Sequence, residues 1–135
     1  MIIFKMFKRG GGLMKYRILT NNPSVAAKYE NVLYIEGTVD DVLVKTRNLI
    51  QRGESLVTHP LPASIRMMYT PYRSIVIGQA SGSSDFLQLE IVEESITKYR
   101  RIIEYRNVDI KNNRDYENLD LWLLESALYE MNTNI

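Results

Sequence analysis

The first 78 residues alternate between short apolar runs and segments of helical spacing, and this alternation limits the folds open to the chain. Residues 15–20 (KYRILT) read as a strand, ended by Asn21-Asn22-Pro23. That tripeptide is a helix-start signature, because Asn caps orphan backbone N–H groups and Pro suits the first helical position. A short helix is expected to about Tyr29, and residues 32–36 (VLYIE) form the next strand. Gly37 turns the chain. Thr38 can cap a second helix, with Asp40 and Asp41 in its first turn where the helix dipole favours acids. Val39, Val42, Leu43, Thr46, Leu49 and Ile50 fall on one helical face, and Arg52-Gly53 ends it. Residues 55–58 and 73–78 (RSIVIG) are the third and fourth strands.

After Ser81-Gly82-Ser83-Ser84 a long helix is expected. Leu89, Val92, Ile96, Tyr99 and Ile103 step by three and four along it in a heptad-like seam. A last helix runs from about Arg114 to Met131, with Leu119, Trp122, Leu123, Ala127 and Met131 assigned to its apolar face. Strands that alternate with helices at this spacing imply parallel pairing through crossovers. Continuous apolar strands imply cover on both faces. The expected fold is therefore an α/β, Rossmann-like domain of three layers: a mostly parallel sheet of about four strands, helices on both faces and two C-terminal helices.

With 135 residues the chain is long enough for one domain with a real core. It has no cysteine and one histidine, which excludes disulfides, thiolate metal sites, iron–sulfur clusters and thiol nucleophiles. No metal or other cofactor is expected. No apolar run approaches the roughly 20 residues that span a bilayer, and no membrane association is expected.

The start of the chain, MIIFKMFKRGGGLM, places three glycines just before Met14. Glycine codons can carry a ribosome-binding sequence, so translation is expected to begin at Met14. Residues 1–13 are then a poorly ordered leader, and 14–135 the single domain. A true basic tail or a signal peptide are the alternatives, although the apolar part before Lys5 is short for a signal core. Without Lys5, Lys8 and Arg9 the balance of 17 bases to 16 acids becomes 14 to 16.

In open parallel sheets ligands collect beyond the carboxyl ends of the strands. That rule sets Thr20-Asn21-Asn22 beside Thr58-His59-Pro60, with the helix starting at Pro23 offering N–H groups to an anion. The stretch 55–74 (SLVTHPLPASIRMMYTPYRS) holds the only histidine and three of four prolines. It would leave the third strand at this edge as a shaped flap. Asn21, Asn22, Thr58, His59, Ser64, Arg66, Thr70, Tyr72 and Arg73 are the candidate ligand-binding residues, and His59 is the candidate acid/base. Plainer roles stand beside these: His59 bonding a neighbouring carbonyl, the asparagines as caps, Tyr69 and Tyr72 as packing rings, Arg66 and Arg73 as solvated cations.

Other constellations are weaker. Asp40-Asp41 and Glu93-Glu94 are adjacent on helices and point apart. The three glycines precede a strand and lack a G-K-[ST] ending. Lys98-Tyr99-Arg100-Arg101 with Tyr105-Arg106 is basic and aromatic, but Tyr99 belongs to the apolar seam, and no nucleic acid is expected. Ser64 and Ser74 have no nucleophile elbow.

Thr20-Asn21-Asn22-Pro23, Thr58-His59-Pro60-Leu61 and Thr70-Pro71-Tyr72-Arg73-Ser74, in this order, resemble the GrdX family over roughly residues 15–79. These small proteins are encoded beside the glycine, sarcosine and betaine reductases. The resemblance implies a cytoplasmic accessory protein of an anaerobe, with reductase components as partners and no established activity. It marks Asn21, Asn22, Thr58, His59, Pro60, Thr70, Pro71 and Tyr72. Between Leu61 and Tyr69 the chain is bulkier than the family's pattern. Without cysteine it cannot itself exchange thiols. Three functions follow as expectations: a non-enzymatic module binding a small anion or zwitterion, a small enzyme using His59, or a homodimeric interaction protein joined through the seam of the long helix.

Overall fold

A computed structural model describes residues 4–9, 12–79 and 85–133. Residues 81–84, expected to precede the long helix, lie outside the described residues, as do 1–3 and 10–11 of the expected leader. The elements in chain order are β1 (Lys5–Arg9), β2 (Gly12–Thr20), α1 (Pro23–Lys28), β3 (Val32–Tyr34), α2 (Val39–Gln51), β4 (Ser55–Leu56), a 3₁₀ turn (Ile65–Tyr69), β5 (Ser74–Gly78), α3 (Phe86–Tyr105) and α4 (Asn113–Thr133).

Local chemistry explains the helix starts. The Asn22 side chain accepts from Ser24 N–H at 3.0 Å, and Pro23 follows as the first helical residue. Thr38 and Asp41 form a reciprocal capping box at α2. Asp85 accepts from Leu87 and Gln88 N–H groups at α3. Gly53 ends α2 with φ +96°, a left-handed conformation that a side chain would strain.

The sheet corrects the expected topology. It is mostly antiparallel, with order β1-β2-β5-β4, and β3 pairs with β2 off this path. Among the described residues the one parallel pairing is β2 with β3, with Ile18 opposite Val32. β5 runs antiparallel to both β2 and β4 and lies between them. The fold is therefore not Rossmann-like. The physical reason is the connection from β4 to β5. A parallel return needs a crossover to the far end of the sheet, usually carried by a helix. Residues 57–73 contain only the 3₁₀ turn and close on themselves: Arg73 donates to the carbonyls of His59 and Pro60. The chain thus re-enters the sheet at the edge it left, as a wide hairpin.

Because Tyr16 pairs with both Lys5 and Gly78, and Ile18 with both Val32 and Val76, β1 and β3 share one edge of β2 and β5 takes the other. β1 falls within the stretch expected to be a leader. Its Phe7 ring meets Tyr16 edge-on, with centroids 5.5 Å apart.

Helices cover both faces, so alternate strand residues enter two cores. Leu19, Ile75 and Ile77 pack with Val42, Leu43 and Ile50 of α2 and with Val92, Ile96 and Tyr99 of α3. Tyr16, Ile18 and Val76 pack on the other face with Val25 of α1 and Leu124 and Leu128 of α4. Each such aliphatic side chain, fully buried, contributes about 1.5–3 kcal/mol. The seam of α3, expected to be free for a second copy, is consumed in the first of these cores.

Tyr99 lies in that core. Burial, with the negative charge of Asp40 adding to it, pushes its phenol up to about 12. The unfolded chain releases this proton near pH 10. The contribution is thus fully present below about pH 10 and is lost as pH rises to about 12. Urea unfolding between pH 8 and 12 should show stability falling across this window, and Tyr99→Phe should flatten the fall.

Candidate functional site

The edge where β2 and β4 end and β5 begins carries a buried polar cluster. Thr20 and Ser74 are register partners, and their hydroxyls are 2.7 Å apart. Thr20 Oγ1 also accepts from Asn22 N–H at 3.0 Å. Asp120 of α4, only 3% exposed, reaches into this cluster. Its Oδ1 accepts from Ser74 N–H at 3.1 Å, and its Oδ2 accepts from the Ser74 hydroxyl at 2.7 Å and from Asn22 Nδ2 at 3.0 Å. A carboxylate can be buried when it is met by donors in this way.

Asn21 works toward the flap. Its Oδ1 accepts from Arg73 N–H at 2.9 Å, and its Nδ2 donates to the carbonyls of Pro71 (2.8 Å) and Gly37 (3.0 Å). Asn22 Nδ2 also donates to the Glu117 carbonyl at 2.9 Å. Both asparagines are buried and spent on the protein itself.

In front of this cluster lies a cleft of about 510 Å³. One wall is the flap, through His59, Leu61, Pro62, Ala63, Ser64 and Met67, and the other is α4, from Asp120 through Leu123, Leu124 and Ala127 to Glu130. Thr58, Arg73 and Ser74 complete it. Arg73 is held rigidly: Nε donates to Pro60 O and Nη2 to His59 O, each at 2.8 Å. A guanidinium has five N–H groups, so three have no partner among the described residues. Burial draws its pKa below the ordinary arginine value, while Asp120 opposes that shift. No ion pair within 4 Å joins Arg73 to Asp120 among the described residues.

Thr58, His59, Ser64 and Arg73, of the residues expected at the site, line this cleft. The Thr58 hydroxyl also accepts from Val76 N–H at 2.9 Å, continuing the β4–β5 ladder. His59 Nδ1 lies 3.0 Å from Leu61 N and 3.1 Å from Leu61 O, so it bonds the flap backbone as acceptor or as donor according to its tautomer. The ring itself is exposed. Ser64 caps the 3₁₀ turn through Arg66 N–H.

Arg66 is exposed and outside the cleft. Thr70 is buried, its hydroxyl donating to Met67 O at 2.8 Å. Tyr72 lies toward Glu117 and Tyr34, and burial raises its pKa. The start of α1 does not line the cleft either; Asn22 caps it and points its amide at α4. The α4 wall was not expected. Its one sequence signal is an acid inside the apolar run LDLWLL. The expected apolar face is also rotated: Trp122 is 62% exposed, and Asp120, Leu124 and Leu128 are buried instead.

Several of the paired acids and two arginines of the basic cluster have structural partners. Asp40 receives Arg100 through two bonds of 2.8 and 3.1 Å. Asp41 serves the capping box, and Glu93 lies 3.6 Å from Arg47. Arg106 stacks over the Tyr69 ring at 4.3 Å. No group of three potential metal ligands occurs among the described residues, and no described helix is long and apolar enough to cross a membrane.

A family model described as GrdX-like protein matches residues 17–129. The chain belongs to that family. Comparison with curated proteins and with solved structures returned no match. The family match reaches well beyond residues 15–79, through α3 and most of α4, so the flap and the α4 wall as far as Ala127 fall within the GrdX-like segment. The bulky stretch between Leu61 and Tyr69 finds its reason here. Leu61 and Met68 enter the core with α2 and α3, while Met67 faces the cleft.

Asp120→Ala leaves Ser74 N–H and the Ser74 hydroxyl without their acceptor and Asn22 Nδ2 with one of its two. It is expected to cost about 3 kcal/mol or more, read as a lowered urea midpoint with an unchanged slope. Asp120→Asn keeps the shape but turns a donor toward donors, and is expected to lose less.

Proposed function

We propose that this chain is a cytoplasmic, non-enzymatic accessory protein of a glycine, sarcosine or betaine reductase system, and that it binds a small anionic or zwitterionic molecule in the cleft between flap and α4. Family membership supports the link to reductase systems. The observation that carries the binding reading is Arg73: a cation fixed by two backbone carbonyls, lining the cleft, with N–H groups to spare. A guanidinium held in one orientation binds a carboxylate or phosphate without first losing side-chain entropy. Ser64, Thr58 and His59 supply further polar contacts along the same walls.

Asn21 and Asn22 take a positioning part in this reading. Asn21 holds the backbone at Arg73 and Pro71, and Asn22 ties α4 to the sheet. A second reading draws on His59. Its Nε2 has no partner among the described residues, and the ring lines the cleft, so this nitrogen is free to exchange a proton with a bound molecule.

Titration calorimetry with glycine, sarcosine, betaine, acetyl phosphate and nucleotides tests the first reading. At least one member should bind, and Arg73→Gln should weaken it tenfold or more. Silence across the panel and across longer carboxylates such as hexanoate counts decisively against it. For the second reading, His59→Gln should abolish turnover of any substrate found while leaving its binding within a few fold; full activity in that variant removes His59 from the chemistry.

A further inference from the structure

The walls of the cleft restrict its ligand more than the polar floor does. At about 510 Å³ the cleft falls within the roughly 300–1,000 Å³ of sites that hold drug-sized molecules. A molecule of glycine's size occupies a small part of that. Leu61, Pro62 and Met67 face it from the flap, and Leu123, Leu124 and Ala127 from α4. Apolar walls that stay in contact with water contribute nothing to binding, so a ligand that uses this site covers them.

The polar groups are not spread evenly. On α4 the lining starts at Asp120, beside Ser74, and ends at Glu130. Ten residues of helix separate those two positions, or about 15 Å. Both Asp120 oxygens already accept from Ser74 or Asn22, so that acid is occupied. Arg73 therefore offers the donors at the Ser74 end, while the far end carries the exposed carboxylate of Glu130. An anionic head finds open guanidinium donors at one end and a carboxylate, an acceptor only, at the other.

We propose that the cleft takes an amphipathic monocarboxylate, with its acid group on Arg73 and an apolar body of several carbons laid along α4 between Leu61–Met67 and Leu123–Ala127. This rests on the anion-binding reading above and names its ligand class. A free short-chain acid and the C-terminal residue of an acylated or peptide chain present the same chemistry.

NMR titration of the full chain with acetate, butyrate, hexanoate, N-acetylleucine and hexanol tests the proposal. Affinity should rise about fourfold per added methylene, so that hexanoate, four methylenes longer, binds roughly 250-fold more tightly than acetate. Hexanol, and hexanoate with Arg73→Gln, should each bind at least tenfold more weakly than hexanoate with the wild type. Ala127→Phe fills the apolar wall without removing Arg73; it should weaken hexanoate at least tenfold and leave acetate unchanged. Leu123→Trp, at a half-buried position, gives the same readout if Ala127→Phe fails to fold by circular dichroism.

Whichever of hexanoate and N-acetylleucine binds more tightly assigns the source, and both orders support the class. Equal affinity for acetate and hexanoate, with dependence on Arg73 retained, overturns this inference and leaves the anion-binding reading standing. Hexanol binding as tightly as hexanoate overturns the carboxylate assignment. Absence of binding by every acid overturns both.

Discussion

The Asp120 carboxylate is the joint on which the rest of the molecule depends. It connects the last helix to the start of β5 through Ser74, and to the end of β2 through Asn22. Three donors meet one buried charge, and Thr20 links the two strand ends behind it. The bonds work as a unit, because each donor is itself buried and has few other partners in reach. Apolar packing of Leu124 and Leu128 brings α4 to the sheet, but packing alone is tolerant of small shifts along a helix. The carboxylate sets the register, and through it the position of Leu123, Ala127 and Glu130 on the cleft wall.

The opposite wall is held by a different arrangement. Arg73 closes the flap by bonding His59 and Pro60 carbonyls, and Asn21 fixes the backbone on either side of Tyr72. The flap is also tied at its far end. Asp109 N–H donates to Tyr69 O at 2.9 Å, Arg106 covers the Tyr69 ring, and Tyr116 O–H donates to Asp109 at 2.6 Å. The connector between α3 and α4 thus joins flap and helix. Both walls of the cleft are anchored to the same sheet edge and to each other, which is the kind of support that a preorganised binding site requires.

Local signals placed the elements well. Caps at Asn22 and Thr38, the glycine after α2 and the seam of α3 could be read from residue type and spacing, because these effects act within one or two turns of chain. Strand direction could not be read in the same way. RSIVIG has the same burial pattern in either sense, so its composition is silent on whether β5 runs with β2 or against it. The rule for parallel sheets gave the wrong pairing, yet the Asn21-Asn22 and His59-Pro60 segments do meet at one edge. They meet through Arg73, which stands just before β5 and bonds to both. Asp120 escaped notice because an acid within a leucine-rich helix is ordinary on an exposed face, and only its docking onto Ser74 reveals that it is buried.

The chain by itself determined most helices and strands from Lys15 onward, though not β1 or the 3₁₀ turn, and also that both sheet faces are covered and that thiol chemistry is absent, since each depends on residue identity or short-range spacing. The family likeness was also legible, in three short motifs. Only the tertiary structure decided the sense of β5, the burial of Asp120 and the pairing of flap with α4 around Arg73. Those depend on contacts between residues 13 to 98 positions apart, and no local pattern encodes how far such segments travel before they meet.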